Sequence, residues 1–343
     1  MLLSLTAINA EIVHHSDESV FITSICNEIT LVVDEIVHKI VLPLPFYLRC
    51  LGYFRIFRRL LRLDKSSVVI SKDQTALMLA YRGKLFSYDI PCKTLTITGN
   101  LQQCRTVMHM SRGVVAPKTI IVGEYGHNAT RSPVPIHLSV DNGKTWKIAI
   151  EISNIYHIHG VYHDPYTGHI WVATGDFEGE CFLYEFPDIS FTGPKIHGDG
   201  SQTWRTVNLF FDKDKVVWLM DSQLQANHLV TLDRATGKIE VTIPFPGPIW
   251  YIKSLSDGKY LAQTSVEKGP GVLTGDVHVY LSTDLINWDR IASFPHDGFP
   301  LGLFKNAVIA FSNGSQSSAK FYCSAEAIKN MDGKSFKCSL TER

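Results

Sequence analysis

Three neighbouring parts of the chain gather acids, histidines and aromatics where apolar runs end or begin. Gly123-Glu124-Tyr125-Gly126-His127-Asn128 ends the run Thr119–Val122. His157-Ile158-His159-Gly160 opens the next unit, and Gly175-Asp176 ends Ile170–Thr174. Gln202-Thr203-Trp204-Arg205 and Asp221-Ser222 follow, with Asn227 nearby, and Trp250-Tyr251 is a thinner group further on. His157 and His159 alternate, so on a strand both face the same side. Three uses stay open for them: a pair of metal ligands, histidines satisfied by the fold, or a general base beside a substrate. No third or fourth ligand is identifiable at a fixed spacing, so neither a metal nor a cofactor is expected. Asp176 and Asp221 fit acid–base work, and equally the turn chemistry that follows a strand. Arg205 could clamp a carboxylate beside a stacking Trp204, or pair with an acid of its own fold. A Glu124 or Tyr125 pointing inward at a strand end is costly unless it is used or paired. Glu124, Tyr125, His157, His159, Asp176 and Arg205 are therefore the catalytic candidates. Gln202, Trp204, Asp221, Asn227 and Trp250 are the binding candidates.

Strands must position these residues. From Lys65 onward, short apolar runs alternate with Gly, Asp, Asn and Pro turns. Such runs read as strands of regular length. One four-strand unit covers Ser67–Ile70, Ala76–Tyr81, Lys84–Asp89 and Thr94–Thr98. Further units start near Arg105, His159, Arg205 and Trp250, and a last one at Leu301. The starts lie roughly 45–55 residues apart, which is the spacing of propeller blades. The N-terminal segment 1–45 adds strands at Ser19–Ile25, Glu28–Asp34 and Ile36–Leu42 that complete or close the propeller. The expectation is an all-β chain, a β-propeller of about six four-stranded blades over 64–343.

The stretch Ser139-Val140-Asp141-Asn142-Gly143-Lys144-Thr145-Trp146 reads S-x-D-x-G-x-T-W. Asp141 can bond the backbone ahead of it, and Gly143 can take a positive φ. A looser echo stands at Ser282-Thr283-Asp284-Leu285-Ile286-Asn287-Trp288. The octapeptide resembles the Asp-box, or BNR repeat, of sialidase-like β-propellers. The resemblance implies a turn on the outer edge of a blade that touches no substrate. Sialidases of that superfamily hold a carboxylate with three arginines, pair a Tyr with a Glu, and carry Arg-Ile-Pro before the first Asp-box. Here Arg131-Ser132-Pro133 stands instead. The three arginines cannot be assigned, and the adjacent Glu124 and Tyr125 would diverge on a strand, so the sialidase site is not carried over. Other propellers of this kind are lyases of acidic polysaccharides. They use His and Tyr with an Arg on the uronate, residue types that His157, His159, Tyr125 and Arg205 supply.

Residues 46–63, FYLRCLGYFRIFRRLLRL, contain no acid. One helix over this span would put Arg55, Arg58, Arg59 and Arg62 on one side and the bulky apolar residues on the other. Two readings stay open: a helix packed on the propeller with its arginines solvated or paired, or an interfacial helix on an anionic membrane surface. Lys+Arg and Asp+Glu balance at 33 each, so no net charge points to nucleic acid. Seven widely spaced cysteines without a C-x-x-C favour a reducing compartment. The first residues lack the pattern of a signal peptide, and no run reaches the ~20 apolar residues of a membrane span. The expected setting is the cytoplasm, peripheral to the inner membrane surface if the helix meets lipid. The expected function is carbohydrate-active, binding and processing a glycan or other sugar-containing substrate by hydrolysis, elimination or transfer. The alternative is a non-catalytic scaffold that binds a protein or a glycan.

Overall fold

The computed structural model describes residues 1–104, 106 and 112–341. Its strands form seven four-stranded sheets. The chain divides into two compact units.

The unit Ser66–Ser222 with His228–Thr242 holds three complete sheets and most of a fourth. The first has strands Ser66–Ile70, Ala76–Tyr81, Lys84–Asp89 and Thr94–Asn100. The second has Arg112–Ala116, Thr119–Gly123, Val134–Ser139 and Lys147–Ile152. The third has His157–His163, Ile170–Gly175, Cys181–Phe186 and Lys195–Gly200. The fourth has Phe210–Phe211, Lys215–Leu219, Asn227–Asp233 and Ile239–Phe245. The expected second start, Arg105, lies outside the described residues. Consecutive strands pair antiparallel within each of the first three sheets. Ala76–Tyr81, Thr119–Gly123, Val134–Ser139 and Ile170–Gly175 are buried at every position. Packing on both faces explains why these sequences are continuously apolar rather than alternating. Ile121, Ile136, Ile158, Val161 and Val172 share one core cluster across the second and third sheets. Each such buried side chain contributes about 1.5–3 kcal/mol of apolar burial.

The unit Met1–Lys65, Gln223–Asn227 and Ile243–Arg343 holds three sheets. Ile12–Ser16, Val20–Ile25, Glu28–Val33 and Ile36–Val41 form one. Ile249–Ser254, Tyr260–Thr264, Asp276–Ser282 and Asp289–Pro295 form another. In the third, Leu2–Ile8 pairs with Lys334–Thr341, beside Phe321–Glu326 and Val308–Phe311. The N-terminal strand thus completes the sheet built from the last three strands.

Seven sheets make the strand complement of a seven-bladed propeller, which corrects the expectation of about six. The missing blade comes from the N-terminus. Leu2–Ile8 and Ile12–Ser16 escaped the sequence reading, so one segment that supplies a strand and a whole blade was counted as a partial closure. The expected single helix is also corrected: two short helices stand there, α1 (Phe46–Leu51) and α2 (Arg55–Leu60). After Gly52 the bonds shorten to three residues, Tyr53 to Cys50 and Phe54 to Leu51, and α1 stops. No helix among the described residues is long and apolar enough to cross a membrane.

The turn at 139–146 joins Val134–Ser139 to Lys147–Ile152. The Asp141 carboxylate accepts from Thr145 N at 2.9 Å and Thr145 Oγ1 at 2.6 Å. Gly143 has φ +78°. Trp146 donates to Thr98 Oγ1 at 3.1 Å and packs against the core of the first sheet. At 284 the carboxylate likewise accepts from Ile286 N and Asn287 N, at 2.8 and 2.7 Å.

Candidate functional site

The second and third sheets of the Ser66–Ser222 unit place the histidines. His157 starts the strand His157–His163, and Glu124 and Asp176 each follow the second strand of their sheets. The pairing register shifts between Ile158 and Gly160. His159 therefore sits in a bulge, a device that re-aims a side chain. The two rings lie on one side, 4.9 Å apart. Gly175 makes room for them, because a Cβ there would stand 3.1 Å from His159 Cε1.

Asp176 is the hub. Its Oδ1 stands 2.9 Å from His159 Nε2 and 2.8 Å from Arg205 Nη2, and its Oδ2 stands 3.5 Å from His157 Nε2. Arg205 Nη1 also donates to the Asp176 carbonyl at 2.9 Å. Asp221 Oδ2 lies 3.7 Å from Arg205 Nε and 3.8 Å from His159 Nδ1. Burial would raise the Asp176 carboxyl, but its neighbours, Arg205 foremost, hold it well below the usual carboxylate range. Burial pushes the His159 imidazole down to about 4, against the pull of Asp176. The side-chain nitrogens of His157 and His159 and an oxygen of Asp176 all lie within 4.8 Å of one another. This trio could hold a metal ion. The ligand missing from the sequence reading is Asp176, placed there by pairing across the sheet rather than by spacing along the chain.

The expected residues divide. Tyr125 packs on His157 with ring centres 4.0 Å apart and planes tilted by 41°, and so joins the cluster. Gln202 supports it from beneath, its Nε2 donating to the Asp176 carbonyl at 3.2 Å and its Oε1 accepting from Ser222 at 2.7 Å. Glu124 is fully buried and turned elsewhere. Its carboxylate accepts from the backbone N–H groups of Gln102, Gln103 and Cys104 at 2.6, 2.7 and 2.6 Å. It also meets His137 Nε2 at 2.7 Å. It anchors the 102–104 loop. Trp204, expected to stack on a sugar, lies buried against Trp218 in an apolar cluster, ring centres 5.3 Å apart. Asn227 and Trp250 belong to the other unit, where Asn227 Nδ2 donates to Gly271 O at 3.3 Å.

Sequence reading missed an aromatic rim. The Tyr156 ring is 5.1 Å from His157 and 5.2 Å from Phe177. Arg131 lies over both Tyr156 and Phe177, 4.8 Å from each ring centre, and bonds Glu180 Oε1 through Nε at 2.6 Å. Tyr156 Oη meets His127 Nδ1 at 2.7 Å. His127 and Phe177 are exposed, Tyr156 and Tyr125 are half-buried, and His157 and His159 are buried. Tyr156 and Phe177 each adjoin a residue already singled out, so widening each cluster by one position would have found them.

No family profile matches this sequence. No curated protein is significantly similar to it. Among solved structures the chain is similar to one in the mitotic checkpoint complex, at 10% identity and TM-score 0.61, covering 99% of this chain and 91% of that one. It is similar to the extracellular domain of the putative one-component system BT4673 from B. thetaiotaomicron, at 12% identity and TM-score 0.59. It is also similar to a GH74 enzyme of Niastella koreensis, at 14% identity and TM-score 0.53. The match to BT4673 takes in all of this chain and 40% of that one; the GH74 match takes in 84% and 46%. At these identities the likeness shows the propeller fold.

Proposed function

We propose that the chain is a carbohydrate-active propeller that binds a sugar on the rim of Tyr125, Tyr156, Phe177 and Arg131 and acts on it with the His157–His159–Asp176–Arg205 cluster. One observation carries this reading: a rim of exposed and half-buried rings borders a buried group of charges. Sugars present C–H faces to aromatic rings and hydroxyls to charged groups, and the rim with its cluster offers both. His159 is the proton-acceptor candidate, with its ring oriented by the Thr206 carbonyl at 3.2 Å. Arg205 is already paired with Asp176, so its part is to hold that carboxylate rather than to clamp a substrate. The fold shared with GH74 enzymes, which are glycoside hydrolases, is compatible with this use.

The test is a screen of neutral and acidic oligosaccharides by titration calorimetry, with turnover followed by mass spectrometry. Tyr156→Ala and Phe177→Ala are each expected to weaken binding by about 5- to 10-fold, the worth of one aromatic contact of roughly 1 kcal/mol. Glycan binding unchanged in the double variant would overturn the reading. A second reading, a non-catalytic scaffold, is favoured by the nearly end-to-end match to a chain of a protein assembly. It predicts no turnover of any sugar. The exposed rings of Phe46 and Tyr47 on α1 and of Tyr53 and Phe54 between the helices are the part of the chain that a membrane surface would meet, and salt-sensitive binding to anionic liposomes tests that.

A further inference from the structure

We propose that His157, His159 and Asp176 form a binding site for one divalent first-row transition ion, with zinc the best fit. The proposal stands apart from the glycan reading and survives its failure. It begins with the protons. His157 Nδ1 is 2.9 Å from Gly126 O, and His159 Nδ1 is 3.2 Å from Thr206 O. A carbonyl oxygen only accepts, so each Nδ1 carries the hydrogen. In the neutral form an imidazole has one N–H, and both Nε2 atoms are then bare lone pairs. Both are turned to Asp176, at 2.9 and 3.5 Å, and an ionised carboxylate is also acceptor-only. Lone pairs facing lone pairs in a buried site repel unless a cation lies between them. His157, 2% exposed, has no hydrogen bond at Nε2.

The surroundings match a metal site. Metal-ligating histidines give their other N–H to a carbonyl or a carboxylate, which fixes the ring and the tautomer. Both rings here do so. Arg205 fixes the carboxylate from the far side through Oδ1 and the backbone carbonyl, and Oδ2 faces His157. Ligands held by zinc at about 2.0–2.1 Å stand roughly 3.3 Å from one another. The His159 and His157 distances to Asp176 bracket that value. Two imidazoles and one carboxylate are a donor set for zinc with a fourth position open to water or a ligand oxygen. Calcium and magnesium prefer all-oxygen cages, so imidazoles select against them. Cys181 Sγ lies close by, accepting from Gln202 Nε2 at 3.5 Å and donating to the Phe177 carbonyl at 3.3 Å, and it is not among the donor atoms that lie within 4.8 Å of one another.

The test uses the full chain, stripped with chelator and titrated at neutral pH with Zn²⁺ and separately with Co²⁺. The expected result is about one equivalent of zinc, with a cobalt spectrum free of thiolate charge-transfer bands. His157→Ala should weaken binding by about 100-fold or more, since even outer-shell changes cost 10- to 100-fold. Asp176→Asn should do the same. The exposed Cys50→Ser and Cys92→Ser should leave it unchanged. Tryptophan fluorescence of Trp204 and Trp218 reports whether each variant is folded. If His157→Ala fails to fold, a Zn²⁺-dependent rise in the thermal midpoint of the native chain, absent in a folded His159→Gln, carries the same information. No stoichiometric zinc, a thiolate band, or undiminished binding in a folded ligand variant would overturn the proposal.

Discussion

Two of the buried clusters of charge among the described residues are built to opposite rules. In the unit that contains the termini, the arginines of α2 turn inward. Arg55 bonds Asp332 at 2.8 and 3.0 Å and also pairs with Asp64 and Glu11. Arg59, 2% exposed, pairs with Asp297 and donates to the Phe304 carbonyl. Lys305 bonds Asp64 at 2.8 Å and pairs with Glu326. Each of these three cations meets an anion. In the other unit, Arg205 serves Asp176, and two imidazole nitrogens face the same carboxylate at 2.9 and 3.5 Å. Buried charge matched at every point ties elements together, here α2 to the loops after Pro295 and Ala327. Buried lone pairs left facing one another are a standing cost, and a fold retains such a cost where something outside the chain relieves it.

The largest effect should come from breaking the matched cluster. Asp64→Ala takes one partner from each of Arg55 and Lys305, and a lost partner in a buried network costs about 3–5 kcal/mol in urea unfolding. A cost below about 1 kcal/mol would mean that the network does not hold α2.

Acid should act on the same cluster. Burial would raise Asp64, but Lys305 and Arg55 draw it down to about 2. Its folded value lies below its unfolded one, so the stabilisation is present above the ordinary carboxylate pKa. It is lost as pH falls from about 4 towards 2. The shift corresponds to about 2 kcal/mol. Asp64→Asn should remove that part of the acid dependence, and an unchanged profile would assign it elsewhere.

In the unmatched cluster the effects are smaller. Gly175→Ala puts a methyl group against His159 and should cost about 1–2 kcal/mol by overpacking while displacing the ring. His157→Leu gives up one bond to a carbonyl and removes one unmatched lone pair. It should change stability by less than about 1 kcal/mol while weakening cation binding. A large loss of stability would move His157 into the same class as Asp64.

The sequence shows much of one half of this contrast and little of the other. Strand runs such as Thr119–Val122 and Ile170–Thr174, and the turn at Asp141, are legible because period and turn chemistry are local. Leu2–Ile8 was not, because a strand whose partner lies more than 300 residues away carries no local sign of its place. The helical segment was read with its arginines apart from the acids that claim them. Phe46, Tyr53 and Phe54 ended exposed, because the pull on α2 comes from Asp297 and Asp332, far along the chain. The same limit hid Asp176 as the partner of both histidines. Residue types named His157 and His159, but only the strand register and the bulge at His159 bring their nitrogens to one carboxylate.

The central claim is that both imidazoles give the Nδ1 hydrogen to a backbone carbonyl and offer Nε2 to a cation. Nitrogen-15 NMR of the chelator-treated chain at neutral pH reads this directly. The account predicts that His157 and His159 each show one protonated Nδ1 and one bare Nε2, and that Zn²⁺ shifts the Nε2 signals alone. A doubly protonated ring at either position, unmoved by zinc, would contradict it.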